Sequence, residues 1–412
     1  MALLIVICGF CYPIKTMGFA MLVHESVVAE TWDSSILPLL KQKYPKSTDQ
    51  ELKDARAYVY GGTVIPDIGY YPFGDIFVTN LIHYVRTGDF IQALFDEAQN
   101  LDEYAFAIGV LCHYTSDVYG HSIATNRAVP LIFPKDMEKF GSIVTYEKDH
   151  ISHMRMEFSF DVLKAAMNNY SFEAFHDFVN FKISQEVFER AFNKTYSLDL
   201  KKYFNPGAIA IQRYAIKHIY QEVTKDAWSL IKTDTAKSKS LLSRRKYEYR
   251  IKRKDYYREY GKPEYRTILF YGVIKLLPKI GPLLVLKYKE PTPEVEKLLK
   301  QSEDSVIYNF SATLKRIYNG NTALKNKDYD TGNLTEPGEY YIADKCYSKL
   351  LLTLENDKFQ GLTPELKYTL IHYYQTPDSL KFPERNTRKW REVSEALTEL
   401  KVADTGKSLG KL

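Results

Sequence analysis

Apolar residues recur at intervals of three or four positions along most of the chain, the spacing that places them on one face of an α-helix. The segment 24–40 shows this spacing, and so do later segments at 73–85, 102–119, 146–166, 172–196 and 294–318. The alternation of apolar and polar residues that is typical of half-exposed β-strands is scarce. The pattern therefore predicts an all-α protein built from many helices.

Glycine and proline interrupt this pattern early in the chain. After a short helical segment at 54–60, Gly61, Gly62 and Pro66 are expected to break regular structure. We therefore expect the residue that follows, Asp67, to be exposed on a loop.

The segment 1–18 has the character of a secretory signal. Its apolar run at 2–10 is too short to span a membrane and has the length of the apolar region of a secretory signal, and Pro13, Thr16 and Gly18 follow it. A buried N-terminal helix or strand is the alternative, because no Lys or Arg precedes the apolar run. Removal of this segment predicts a secreted or periplasmic protein.

Cysteine usage limits the contribution of cross-links. Cys8 and Cys11 would leave with the signal, so that only Cys112 and Cys346 remain and at most one disulfide can form. Hydrophobic residues make up 45% of the 412 residues, which argues against general disorder. We therefore expect a hydrophobic core, and not disulfides, to hold the fold together.

The charge and aromatic composition permits several partners without selecting one. The net charge of +5 allows attraction to phosphates or to an anionic membrane. The chain contains 33 tyrosines, and several of them interleave with Lys and Arg at 244–266. Such a stretch would suit base stacking and phosphate contact, with a solvated charged helix as the alternative.

Histidines and acidic residues with regular spacing indicate a metal centre. His113, Asp117 and His121 follow one another at intervals of four residues, which places them on one face of a helix. His153 and Glu157 repeat that interval on a second helix. Imidazole and carboxylate without cysteine suit zinc, with manganese and iron as alternatives. For each histidine alone, a hydrogen-bonded position in the core is the alternative.

The order of these motifs resembles the zinc-dependent phospholipase C family and, more distantly, the single-strand nucleases of the S1/P1 type that share its helical fold. The resemblance covers about residues 19–165. It rests on Val23-His24-Glu25, Gly61-Gly62 with Pro66-Asp67, His83-Tyr84, the segment from His113 to His121 and the segment from His153 to Glu157. It implies a multi-helix bundle of the phospholipase C/P1 nuclease type, in which a cleft between helices holds two to three zinc ions.

The resemblance assigns the ligands of the first ion to four residues. His83, His113 and Asp117 would bind this zinc. Asp67 would be either a further ligand or the base that holds the attacking water, and it is the candidate catalytic residue.

The second ion would be bound by His121, His153 and Glu157. His150 could replace His153, because it also lies on the helical face of Glu157. The short interval between Asp117 and His121 is unlike that of the bacterial phospholipases and closer to the glycosylphosphatidylinositol-specific phospholipase D branch.

The third ion would be bound by His24, with Asp117 bridging and with the amine and carbonyl of the mature N-terminal residue. The spacing found in the nuclease branch makes Phe19 that residue. The tryptophan that the family carries at this position is absent, and this departure bears on the third site more than on the other two.

These features predict a zinc-dependent catalytic domain at 19–200 and a helical region of unassigned role at 201–412. The expected activity is hydrolysis of phosphodiesters, chiefly phospholipid head groups, by a metal-activated hydroxide. A single-strand nuclease or 3′-nucleotidase is the enzymatic alternative, and a non-catalytic, zinc-stabilised binding protein is another.

The expected partner is a phospholipid or another phosphodiester. We expect no stable nucleic-acid partner, and we expect the chain to be monomeric. The apolar stretch 267–286 is broken by Pro278 and Pro282 and so does not predict a spanning helix. It could instead make peripheral contact with a membrane through its apolar residues, with Lys275 and Lys279 near anionic head groups. A place in the core is the alternative for this stretch.

Overall fold

The computed structural model describes residues 21–167, 172–231, 247–248, 250, 252–262, 265, 268–269, 272, 277–375 and 388–406. Within these ranges the chain forms helices and one isolated bridge, between Lys327 and Leu334, but no strand. The predicted all-α class is therefore confirmed. The signal segment 1–18, Phe19 and much of the stretch 232–276 lie outside the described residues.

The helices of the first half carry the residues singled out in the sequence. They are α1 (Met21–Thr31), α2 (Leu37–Lys43), α3 (Asp49–Val64), α4 (Ile76–Tyr84), α5 (Thr87–Glu97), α6 (Leu101–Gly120), α7 (Asn126–Ile132), α8 (Pro134–Phe140), α9 (His150–Ala166), α10 (Phe172–Val179) and α11 (Gln185–Tyr196). Single π-helical turns lie at Trp32–Ile36 and at His121–Thr125, and a 3₁₀ turn lies at Ile65–Tyr70.

The second half continues in helices. They are α12 (Ile209–Ile231), α13 (Arg253–Tyr260), α14 (Pro293–Tyr318), α15 (Tyr341–Asn356), α16 (Pro364–Gln375) and α17 (Arg388–Val402). Short 3₁₀ turns lie at Leu200–Lys202, Pro206–Ala208 and Gly281–Leu286. None of the helices in the described part of the chain is both long enough and apolar enough to cross a membrane.

The expectation that Gly61 and Gly62 break the chain was wrong. Helix α3 runs through both glycines, and Asp67 is buried in the 3₁₀ turn that follows, with 8% of its surface exposed. The reason is close packing. A Cβ atom on Gly62 would lie 2.2 Å from the carbonyl oxygen of Phe106, so the missing side chain lets α3 and α6 approach each other.

The helix expected at 172–196 is divided into α10 and α11. Between them the backbone leaves the helix, and the amide of Lys182 donates to the carbonyl of Ala57 on α3 at 2.9 Å. Arg213 on α12 also donates to the carbonyl of Phe181 at 2.7 Å. Contacts distant in sequence therefore override a local periodicity that extends across the break.

One large hydrophobic cluster includes residues from both halves of the chain, among them Tyr60, Phe106, Phe310 and Leu350. Helix α14 packs against α1, α6 and the π-helical turn His121–Thr125, and α15 packs against α4. The region after residue 200 is thus in direct contact with the helices that carry the metal-ligand candidates. The division at 200/201 remains a prediction. The two cysteines among the described residues, Cys112 and Cys346, are buried free thiols.

Candidate metal centre

Eight of the predicted ligands lie on six helical elements. His24 is on α1, Asp67 on the 3₁₀ turn, and His83 on α4. The others are on α6, on the π-helical turn after it, and on α9: His113, Asp117, His121, His153 and Glu157. All except His121 are buried, and His121 is half-buried.

His24, His113 and Asp117 form the first of three compact groups, called the His24 group. Nε2 of His24 lies 3.5 Å from Oδ1 of Asp117, and Nε2 of His113 lies 2.9 Å from Oδ2 of the same carboxylate. The two imidazole rings stack with their centroids 4.4 Å apart.

Asp67, His83 and His113 form the second group, called the His83 group. Nε2 of His83 lies 3.3 Å from Oδ1 of Asp67 and 3.6 Å from Oδ2 of Asp117. Since His113 belongs to both groups and Asp117 faces both, two cations bound here would share ligands.

His121, His153 and Glu157 form the third group, called the His121 group. Oε1 of Glu157 lies 2.8 Å from Nε2 of His121 and 3.1 Å from Nε2 of His153. The alternative residue His150 is exposed at the start of α9, so the structure brings His153 and not His150 into the group.

Backbone carbonyls orient the imidazoles of His83 and His113. Nδ1 of His83 lies 2.8 Å from the carbonyl oxygen of Thr79, and Nδ1 of His113 lies 2.8 Å from that of Thr63. Because a carbonyl can only accept, Nδ1 carries the proton in both rings. Nε2, on the side of the carboxylates, is then the nitrogen left to bind a metal.

Unpaired nitrogens show where a cation would fit. Among the described residues, both ring nitrogens of His24 and both of His153 are buried and make no hydrogen bond of regular geometry, although Nε2 of each lies within 3.5 Å of a carboxylate oxygen. Such atoms destabilise the fold unless something satisfies them. Imidazole and carboxylate donors without cysteine match the ligand preference of zinc, so the residues present fit this metal.

Electrostatics of the groups agree with a cation site. Burial, helped by the neighbouring His113, lowers the pKa of His24 to about 4, which keeps that imidazole neutral and able to bind metal. Burial also lowers the pKa of His83, but hydrogen bonds that its ring donates to Asp117 and Asp67 outweigh this effect and raise the pKa to about 10. Without a metal the carboxylates thus hold a proton on His83, and a divalent cation would replace that charge.

Cys112, next to His113 in sequence, is fully buried in the core. Burial raises the pKa of its thiol to about 12, which excludes a role as an ionised nucleophile near neutral pH. The interpretation of Cys112 as a core residue is therefore confirmed.

Sequence reasoning missed two residues that contact the centre from the second half of the chain. The carbonyl oxygen of Tyr329 lies 3.1 Å from Nδ1 of His121, and Oδ1 of Asp330 lies 3.5 Å from the same nitrogen. The local sequence around Asp330 has no ligand spacing on a helix, so only its acidic character in the unassigned region could have drawn attention to it.

Comparison with known proteins assigns the first half of the chain. Residues 23–205 match the family model of zinc-dependent phospholipase C. No curated protein and no solved structure matches the chain. The matched segment contains all eight ligand candidates that the structure describes, whereas Tyr329 and Asp330 lie outside it. The segment 23–205 of this chain is therefore a member of the zinc-dependent phospholipase C family.

Proposed function

We propose that this protein is a zinc-dependent phosphodiester hydrolase that releases the phosphorylated head group of phospholipids. The observation that carries the proposal is the meeting of the three ligand groups, two of which share His113. In a structural zinc site, four protein ligands fill the coordination sphere of the ion. A cluster with shared ligands can instead hold several cations that keep open coordination positions. We infer two to three zinc ions.

Zinc in such a cluster supplies a water of lowered pKa and neutralises negative charge on the phosphate. The residues of the chain hold and orient the reacting groups. Asp67 is buried beside Nε2 of His83 at 3.3 Å and Nε2 of His113 at 3.8 Å. We propose that its carboxylate either binds the first ion or accepts the proton of the attacking water.

Two tyrosines contact histidines of the His83 and His121 groups. The ring of Tyr70 lies 6.2 Å from that of His83 and 6.2 Å from that of Tyr146, and Tyr146 lies 5.8 Å from His153. Ring contacts of Tyr70 and Tyr146 thus connect His83 with His153. These rings would limit access of bulk water to a bound phosphodiester.

We further propose that the chain is exported and cut before Phe19, so that the new amine completes the His24 group. Helix α1 begins at Met21, and the amide of Leu22 donates to Asp161 at 3.1 Å, which fixes the start of that helix. Mass spectrometry of the exported protein should find Phe19 as the first residue. An active protein that retains residues 1–18 would contradict this part of the proposal.

The nuclease alternative loses part of its support. Tyr247, Tyr256 and Tyr260, from the basic stretch that would stack with bases, are buried. The hydroxyl of Tyr247 donates to the carbonyl of Ala165 at 2.6 Å, so this ring belongs to the packing of α9. Tyr265, by contrast, is exposed.

Membrane contact is proposed to be peripheral. Leu269, Leu277 and Ile280 are 53%, 48% and 66% exposed, whereas Val285 is buried in the core. Lys279 pairs with Glu222 at 3.0 Å, so it is already engaged, and Lys275 lies outside the described residues. We therefore assign the proposed contact to the exposed apolar side chains. We also propose that the chain is monomeric.

The test compares substrates on the zinc-loaded protein. It should cleave phospholipid vesicles or a chromogenic choline-phosphate diester faster than single-stranded DNA. Glu157→Gln should remove that activity, whereas Glu138→Gln, at an exposed glutamate outside the ligand groups, should leave it unchanged. Degradation of DNA or RNA with every phospholipid left intact would replace the proposal by the nuclease alternative.

A further inference from the structure

A segment from the second half of the chain, residues 325–332, crosses the helices that carry the ligands. Its backbone is held at several points. The hydroxyl of Thr87 donates to the carbonyl of Lys327 at 2.8 Å and accepts from the amide of Lys327 at 2.9 Å. The amide of Tyr329 donates to the carbonyl of His83 at 3.2 Å. This segment, called the 325–332 strap, is therefore anchored beside the His83 group.

Close backbone approach fixes the other end of the strap. Gly332 has a φ of +74°, and a Cβ atom at this position would lie 2.5 Å from the carbonyl oxygen of Val118 on α6. A residue with a side chain would be strained here and would push the strap away from α6. The strap and α6 thus meet three residues before His121.

Asp330 is the charged residue of the strap that faces the ligands. One carboxylate oxygen, Oδ1, lies 3.5 Å from Nδ1 of His121. The other, Oδ2, accepts hydrogen bonds from the hydroxyls of Tyr84 at 2.9 Å and Tyr340 at 2.6 Å. Asn126 donates to its backbone carbonyl at 2.6 Å. The side chain is buried, so these bonds hold the carboxylate in one orientation.

Tyr329 adds a second contact to the same imidazole and covers two others. Its carbonyl oxygen lies 3.1 Å from Nδ1 of His121. Its ring lies 4.7 Å from the ring of His83 and 5.9 Å from that of His113. The strap therefore reaches the His121 group through hydrogen bonding and the other two groups through packing.

We propose that Asp330 is a positioning residue of the metal centre, which acts through His121. A carboxylate and a carbonyl on Nδ1 keep the proton on that nitrogen and make Nε2 a better electron donor. Nε2 then faces Glu157, where the second ion is proposed. A metal-binding histidine with such a partner commonly loses about 10–100-fold in metal affinity when the partner is removed.

The inference rests on the zinc centre of the proposed function, and its test measures metal binding and not turnover. Zinc affinity of Asp330→Asn and of the wild-type full chain is measured by competition with a chromogenic chelator. The matched control is Asp344→Asn, because Asp344 is also buried and accepts from a tyrosine hydroxyl, that of Tyr373 at 2.7 Å, but does not belong to any of the three ligand groups formed by the described residues.

In Asp330→Asn one zinc site should weaken by about 10–100-fold, while the remaining sites and Asp344→Asn keep the wild-type affinity. In the cobalt-loaded protein the visible absorption of that one site should change as well. Wild-type affinity at every site of Asp330→Asn would overturn the inference, and so would equal weakening of all sites. If the wild-type protein itself binds no zinc, the proposed function fails first.

Tyr84→Phe provides a second measurement if Asp330→Asn does not fold. It removes one hydroxyl that holds Asp330 and leaves the ring in the core. The same single site should weaken several-fold, and the change in the cobalt spectrum should have the same direction. Unchanged affinity and an unchanged spectrum in a folded Tyr84→Phe protein would overturn the inference.

Discussion

Nε2 of His113 lies 2.9 Å from Oδ2 of Asp117, its neighbour one turn later on α6. The other oxygen of the same carboxylate, Oδ1, faces His24 on α1. One side chain of α6 therefore faces ligands of two groups, and the loss of its charge should affect both. Glu157 differs in this respect, because it faces only the His121 group.

Asp117→Asn is expected to lose more zinc than Glu157→Gln. Removal of the Asp117 charge deprives two proposed ions of a ligand, whereas removal of the Glu157 charge deprives one. Elemental analysis after zinc loading and desalting should show a loss of more than one equivalent in the first variant and of about one in the second.

Asp136→Asn provides the control for these variants, since Asp136 is a buried carboxyl outside the three groups. It should retain the wild-type zinc content. Equal losses in Asp117→Asn and Glu157→Gln would contradict the shared role of Asp117. Less than one equivalent of zinc in the wild-type protein would contradict the proposed function as a zinc-dependent hydrolase.

Removal of metal is expected to destabilise the wild-type protein. Zinc that binds only the folded chain adds about 2.7 kcal/mol per site at a free concentration of 100 times Kd. Treatment with a chelator should therefore lower the melting temperature in calorimetry, and added zinc should restore it. Asp117→Asn should show a smaller difference between the two states. A melting temperature that does not respond to chelation would speak against occupied sites.

Gly62→Ala is expected to destabilise the fold by about 1–3 kcal/mol, because overpacking forces α3 and α6 apart. The added Cβ would lie 2.8 Å from Cα of Gly109 as well as close to Phe106. Urea denaturation of the metal-free protein measures the change. Gly120→Ala is the matched control, since no atom of the described residues lies within 4 Å of its Cβ position and alanine favours a helix. A Gly62→Ala protein as stable as Gly120→Ala would refute the packing argument.

Stability of the metal-free protein is expected to fall between about pH 5 and pH 8 in part through Asp161. Burial raises the pKa of this carboxyl to about 8 in the folded protein, against about 4 in an unfolded chain. Between these values the folded state holds a proton that the unfolded state has lost, so the free energy of unfolding decreases as pH rises toward 8. Urea denaturation of Asp161→Asn at the two pH values should show a smaller decrease than the wild type. Equal decreases would mean that Asp161 titrates normally.

Much of the candidate site could be predicted because the ligand spacing is local. The intervals between His113, Asp117 and His121 follow from helix geometry, and so does the interval between His153 and Glu157. The structure nevertheless separates His121 from the first two residues. It belongs to the group on α9, at the point where α6 changes into a π-helical turn. Periodicity alone predicts that His113, Asp117 and His121 share one helical face, and it gives no reason for the separation of His121 from the other two.

Other features depend on contacts that a single sequence does not reveal. The low helix propensity of Gly62 predicts the end of a helix. In the structure α3 continues through Gly62, because the missing side chain lets α6 pack closely against it. Asp330 carries no spacing that links it to His121, because the two come together only when the second half folds over the first. Tertiary contacts decide both cases.

The distance in sequence between His121 and the strap has a consequence for biosynthesis. The hydrogen bond between His121 and Tyr329 joins residues 208 positions apart. At about 5–20 residues per second, a ribosome needs roughly 10–40 s to synthesise that interval. During this time the nascent chain carries the His121 group without the carbonyl and carboxylate that would hold its imidazole. Stable loading of this group is therefore expected only after the strap has been synthesised and has folded over His121, as a late step in the maturation of the protein.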